Sequence, residues 1–164
     1  MYSYGNYYTW AAAIADTTNY TTNNQSVTNT SICPSGWRLP QGGNKNRLES
    51  DDDNDFWNLT VDALNNGTTP ANYGNSTTPY YTGTAEAGPV ADKLRSYPNN
   101  FIYSGYVVSG SVYDRGSYGY YWSSTARSSG SAYLLYLYSS NVSPGTYGSS
   151  KYSGWAVRCV APGA

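Results

Sequence analysis

Gly119-Tyr120-Tyr121-Trp122-Ser123-Ser124-Thr125 and Gly154-Trp155-Ala156-Val157-Arg158-Cys159-Val160 are two short, aromatic, strand-prone words. Between them lies a stretch of another character. From residue 101 to the end, Tyr, Ser and Gly make up about half of the chain, and Asn, frequent earlier, survives only at Asn141. Tyr, Ser and Gly are the residues of antigen-combining loops: Tyr gives broad amphipathic contact at low entropy cost, Ser and Gly adaptable hydrogen bonding. A variable-looking stretch held between fixed-looking ones points to a recognition module rather than an enzyme.

Working outward, the two words read as strands over 120–124 and 155–160, with two more over 101–108 and 132–139, separated by Gly and Ser clusters. Upstream of Pro98 the pattern is helical. Phe56, Leu59, Ala63 and Leu64 share one face at helical spacing, with Trp57 and Val61 beside it. Ser50 and Asp53 resemble a capping box, and Asn65-Asn66-Gly67 ends the helix. A shorter helix is predicted over 89–96, with Pro89 in its first turn and Val90, Leu94 and Tyr97 facing inward. Residues 7–15 read as a strand running into a helical turn, 32–40 as a short buried segment, and 16–31, 41–47, 67–88 and 143–153 as loops. Two helices followed by antiparallel strands define an α+β fold. Its 164 residues suit a single domain, 1–164, expected to be the C-terminal part of a longer surface protein.

Twenty Tyr stand against two Phe, which favours short strands and many loops. The net charge of −1 and the lack of clustered Lys and Arg give no nucleic-acid footprint. No apolar run is long enough to span a bilayer, so no membrane insertion by this domain is expected. The chain has no His, which excludes a Ser-His-Asp arrangement and His zinc sites within it, and there is no phosphate-binding Gly-x-x-x-x-Gly-Lys loop. No cofactor and no catalytic residue is expected. Asp51, Asp53 and Asp55 alternate in an acidic run. A calcium loop would need Gly after the third acid; Phe56 and Trp57 follow instead, so carboxylates at a helix N-terminus are the better reading.

Cys33 and Cys159 lie in compact apolar words near opposite ends. They are either two buried thiols or one disulfide closing nearly the whole chain. The disulfide is favoured: loop entropy alone would stabilise the fold by about 5 kcal/mol. It would imply an extracellular or cell-surface location.

Three words in order, Cys33-Pro34-Ser35-Gly36-Trp37-Arg38-Leu39-Pro40, Tyr121-Trp122-Ser123-Ser124-Thr125 and Val157-Arg158-Cys159-Val160, resemble the Fibrobacter-type major paralogous domain family. The resemblance covers about 7–160 and implies a C-type-lectin-like fold in a bacterial surface or secreted protein. The chain also resembles the variable proteins of diversity-generating retroelements, in which Asn codons near the C-terminal end of such a fold are rewritten to residues including Tyr, Ser and Gly. The loss of Asn after residue 101 is what such rewriting leaves. The Glu-Pro-Asn or Gln-Pro-Asp and Trp-Asn-Asp words of calcium-dependent sugar-binding lectins do not occur.

Strand alternation sorts the variable-looking segment. With Tyr133, Leu135 and Leu137 inward, Leu134, Tyr136 and Tyr138 point outward together. The expected ligand-binding set is Arg127, Ser131, Leu134, Tyr136, Tyr138, Ser143, Thr146, Tyr147, Ser149 and Tyr152. Trp37, Trp122 and Trp155 read as core rather than sugar platforms, and Arg158 as a structural donor to loop carbonyls. The function expected is a non-enzymatic, adhesin-like or receptor-like ligand-binding domain for an unknown protein or glycan. The alternatives are a structural domain of a surface fibre or cell envelope, and a carbohydrate-binding accessory module.

Overall fold

The computed structural model describes residues 5–17, 28–43, 54–74, 76 and 78–161. The elements are α1 (Trp10–Ala13), α2 (Asp55–Trp57) continuing as a π-helix (Asn58–Ala63), β1 (Tyr81–Thr82), α3 (Thr84–Arg95), β2 (Tyr106–Val108), β3 (Ser111–Tyr113), β4 (Gly119–Ala126), β5 (Ser131–Tyr138) and β6 (Asn141–Ser150). An antiparallel sheet runs in the order β1-β6-β5-β4, and β2 and β3 form a separate hairpin. The fold is α+β.

Local chemistry sets the helix starts. The predicted cap at Ser50 and Asp53 lies outside the described residues. Asn54 caps α2, its side-chain oxygen accepting from the Trp57 N–H at 2.9 Å. Asp55 in the first turn accepts from the Gln41 N–H and pairs with both terminal nitrogens of Arg38, at 2.5 and 2.9 Å. That neutralisation answers the helix-terminus reading of this carboxylate; Asp51 and Asp53 lie outside the described residues. α3 begins five residues earlier than predicted. Glu86 in its first turn accepts from the Thr82 and Ala71 N–H groups at 2.8 and 2.6 Å, ordering the chain ahead of Pro89, which sits inside the helix. The helix ends by Ser96, and Tyr97 beyond it is 88% exposed, against the inward position predicted.

Different parts of the chain pack on the two faces of the sheet. On one face, Tyr121, Leu135, Leu137 and Val142 form a core with Phe56, Trp57 and Val61 and with Ala87, Val90 and Leu94 of α3. On the other, Trp122, Ala126, Ala132 and Leu134 form a second core with Trp10, Ala13 and Ile14 of α1, Leu39 and Trp155. Two indole N–H groups bind the N-terminal segment to β4: Trp10 donates to Ser123 O at 2.9 Å and Trp122 to Tyr8 O at 2.8 Å.

Three predicted segments change character. Residues 101–108 are strand only from Tyr106, and 155–160 make isolated bridges instead of a strand, Trp155 to Tyr8, Ala156 to Tyr121 and Val160 to Arg38. The longest strand, β6, falls where a turn-rich loop was expected. Pro144 and Gly145 disguise it. Pairing passes from Leu134↔Tyr147 to Tyr136↔Ser143, so β6 holds extra residues in a bulge at these positions. Gly145 has φ 78° there, and a Cβ would stand 2.7 Å from Asn54 Oδ1. Residues 32–40 are mostly exposed: Ile32 is 39% and Trp37 50% exposed, while Leu39 is buried. Trp37 is therefore not core. Of that word, Leu39 and the partly buried Cys33 pack against the α1 cluster.

Cys33 and Cys159 form a disulfide with a Cα–Cα distance of 5.8 Å across a separation of 126 residues. The adjacent Arg158 donates to Asn100 O at 3.3 Å, the loop-carbonyl role read from the sequence.

Candidate functional site

α1 is a single turn, four residues long, and it covers only part of its sheet face. Ala132, Leu134, Tyr136 and Tyr138 share that face by alternation. Ala132 and Leu134 are fully buried beneath the N-terminal layer, whereas Tyr136 and Tyr138 emerge half-buried past its edge. Tyr120 lies directly across from Tyr136 on β4, and Tyr118 precedes it by two residues on the same side. The open half of the face is thus paved with tyrosines.

Their rings touch in an unbroken array. Tyr120 and Tyr136 stack with centroids 5.2 Å apart and planes at 22°; Tyr118 meets Tyr120 at 6.1 Å and 8°, and Tyr138 at 4.6 Å. Tyr147 on β6 adds to Tyr136 at 5.7 Å. On the other flank Trp155 packs on Tyr120 at 4.5 Å and on Tyr106 at 4.8 Å, and Tyr106 stacks on Tyr113 of the hairpin at 5.3 Å. Each such pair contributes roughly 0.5–1.5 kcal/mol beyond area burial, so the array is a preorganised surface whose ordering cost is met during folding. The outermost rings, Tyr113 and Tyr147, are about half exposed, 45% and 49%.

Stacking dictates what the array offers. A ring lying parallel to its neighbour has its face occupied; what remains outward is the electropositive edge and the hydroxyl. Burial, with the nearby Asp114 carboxylate and neighbouring phenols, pushes the Tyr120 phenol well up, and burial with the adjacent Tyr138 hydroxyl does the same to Tyr136. Both stay protonated donors across the physiological range.

The predicted ligand-binding set divides. Tyr136, Tyr138 and Tyr147 belong to the array. Arg127, Ser131, Ser149 and Tyr152 lie at the opposite end of β5 and β6. Ser131 and Tyr136 are five strand residues apart, roughly 17 Å along the strand. There Arg127 is exposed and its side chain lies over Gly148, where a Cβ would collide with it. The Ser131 hydroxyl is 2.7 Å from that of Ser128, and Tyr152 is 74% exposed.

Leu134, Ser143 and Thr146 are corrections. Leu134 is fully buried because α1 and Trp155 close over its half of the face. The bulge at Pro144 and Gly145 turns Ser143 and Thr146 inward, where their hydroxyls lie 3.1 Å apart and Thr146 donates to Pro79 O at 2.6 Å. None of the three offers its side chain to a surface partner. Missing from the set were Tyr106, Tyr113, Tyr118, Tyr120 and Trp155. The repeated Tyr-x-Tyr spacing at 118/120 and 136/138 was the available signal, since two such pairs on antiparallel neighbours can share one face.

Among the described residues, no group of three His, Cys, Asp or Glu side chains is placed to hold a metal ion. Among them, too, no helix is long and apolar enough to cross a membrane. No family model, no curated protein and no solved structure matches the chain.

Proposed function

We propose that this chain is a non-enzymatic ligand-binding domain of C-type-lectin-like fold, carried extracellularly by a bacterial surface protein, with the tyrosine array as its contact face. The observation that carries the reading is the half-covered sheet face, where Tyr118, Tyr120, Tyr136, Tyr138 and Tyr147 are locked against one another and left open outward. The disulfide is compatible with an extracellular setting. Rigid Tyr anchors bind with little further loss of side-chain freedom. Interior rings that present edges and hydroxyls suit carbonyl and carboxylate acceptors of a polypeptide better than the sugar faces of a glycan, which stack on free ring faces. The Tyr-, Ser- and Gly-rich segment 126–153 is the part diversified by a retroelement in this reading.

The test is the same locus sequenced from related isolates. Substitutions concentrated at 127, 136, 138, 147, 149 and 152, sparing the buried positions 134, 143 and 146, are the expected outcome. Drift spread evenly over buried and open positions, as in a plain structural domain, would overturn the reading.

A further inference from the structure

The helix after Asn54 buries only part of the face its periodicity predicts, Phe56 fully and Leu59 and Leu64 in part. From Asn58 to Ala63 it is a π-helix, in which the Leu64 N–H reaches Leu59 O. α2 buries Phe56 and Trp57, and the wider turn that follows buries Thr60 and Val61. It leaves Leu59 half-buried and Ala63 exposed, although both were expected in the core. Single π-turns recur at functional sites because the shifted register re-aims side chains. Here Leu59 and Ala63 are re-aimed into a cleft.

That cleft, about 320 Å³, lies between the π-helix and the C-terminal segment, on different elements from the tyrosine array. Its lining is largely apolar, with Leu59, Ala63, Phe56 and Phe101 among its walls, and its volume is that of a small-molecule site. Among the described residues that line it, two arginines and one carboxylate leave one net positive charge: Arg38 is neutralised by Asp55, and Arg158 is not. Among the described residues Arg158 meets no carboxylate. Its guanidinium carbon sits 4.7 Å from the Phe101 ring centroid and one nitrogen donates to Asn100 O, out of the five N–H donors that a guanidinium carries. An apolar cavity edged by an uncompensated cation on an aromatic floor is complementary to an amphipathic anion.

We propose that this cleft is a second binding site, for a small amphipathic carboxylate. Its apolar part lies between Leu59, Ala63 and Phe101, and its carboxylate takes the remaining donors of Arg158. The site is independent of the tyrosine array, so either can fail without the other.

Calorimetric titration of the 164-residue chain with octanoate, 1-octanol and octylammonium, three probes of one chain length, tests it. Octanoate is expected to saturate a single site about tenfold more tightly than octanol, the worth of one charge-assisted contact, with octylammonium weakest. Arg158→Gln is expected to bring octanoate down to the affinity of octanol and leave octanol unchanged. Because Arg158 also supports the Asn100 loop, Ala63→Trp is the second variant: on an exposed position, it fills the cleft and removes octanoate and octanol binding with the melting curve intact. Equal affinity for the three probes, no saturable octanoate binding, or octanoate binding that survives Ala63→Trp would each overturn the proposal.

Discussion

Leu134→Ala and Tyr147→Ala are neighbouring changes with very different expected costs. The two residues face each other across β5 and β6. Leu134 is fully buried in the core with Trp10, Ile14, Leu39, Trp122 and Trp155, whereas Tyr147 is 49% exposed at the rim of the array. Leu134→Ala removes three carbons, worth about 2.4 kcal/mol of transfer free energy at ~0.8 per methylene. The cavity adds to this. Its lining of indoles and helix side chains is pinned by the Trp10 and Trp122 hydrogen bonds and collapses poorly, so a total of roughly 3–4 kcal/mol is expected. In a domain of this size each kcal/mol lowers Tm by about 2–4 °C, giving a drop on the order of 10 °C. Tyr147→Ala loses part of one ring contact and half-buried area, about 1 kcal/mol and a few degrees. Paired thermal and urea melts followed by circular dichroism read both. Volume-conserving Leu134→Met should recover most of the loss. Equal costs for Leu134→Ala and Tyr147→Ala would refute the half-covered face, and with it the reason the tyrosines stand open.

Two further outcomes follow from bonds and titrating groups. Replacing Cys33 and Cys159 together with Ala should destabilise by about 2–5 kcal/mol, since a bridge over 126 residues restricts the unfolded chain strongly; a melt unchanged from the oxidised protein would contradict this. Stability should rise with pH through the mildly alkaline range and then fall. Burial holds the Lys151 ammonium at about 8, below its ordinary 10.5, so the folded state gains as pH climbs from 8 towards 10.5. Burial raises the phenols of Tyr81, to about 12, and of Tyr120 and Tyr136; their stabilisation is complete below about pH 10 and is lost as pH rises through the folded values. Tm against pH should therefore peak near pH 9–10, and Lys151→Met should flatten the rise but not the fall. A rise that persists in Lys151→Met would assign it elsewhere.

Much of the α+β order was legible in the residues. β4 and β5 fall almost where their aromatic and apolar runs predict them, and the alternation along β5 was read correctly: Leu135 and Leu137 face one core, Leu134 and Tyr136 the other. With only two cysteines the disulfide was favoured over two buried thiols, and the structure forms it. β6 was illegible because Pro144, Gly145 and Gly148 are turn residues by local preference; Gly148 is strand only through its pairing with Tyr133 of β5, and Pro144 and Gly145 lie in the bulge between paired residues. The π-helix was hidden for a similar reason: Leu59 and Ala63 fit an α-helical face, and the wider turn is imposed by packing around Phe56, Trp57 and Val61.

Sequence alone determined which residues travel together, because alternation along a strand and the turn of a helix are properties of the backbone. It supplied the phenols, the two sulfurs and the lack of imidazole. It did not determine which of two equivalent faces is exposed, or over what length. That was decided by α1 and Trp155, which arrive from opposite ends of the chain to bury Leu134 fully and Tyr136 only in part. Exposure is a relation between segments distant in the chain, and local periodicity carries no record of where a covering layer ends.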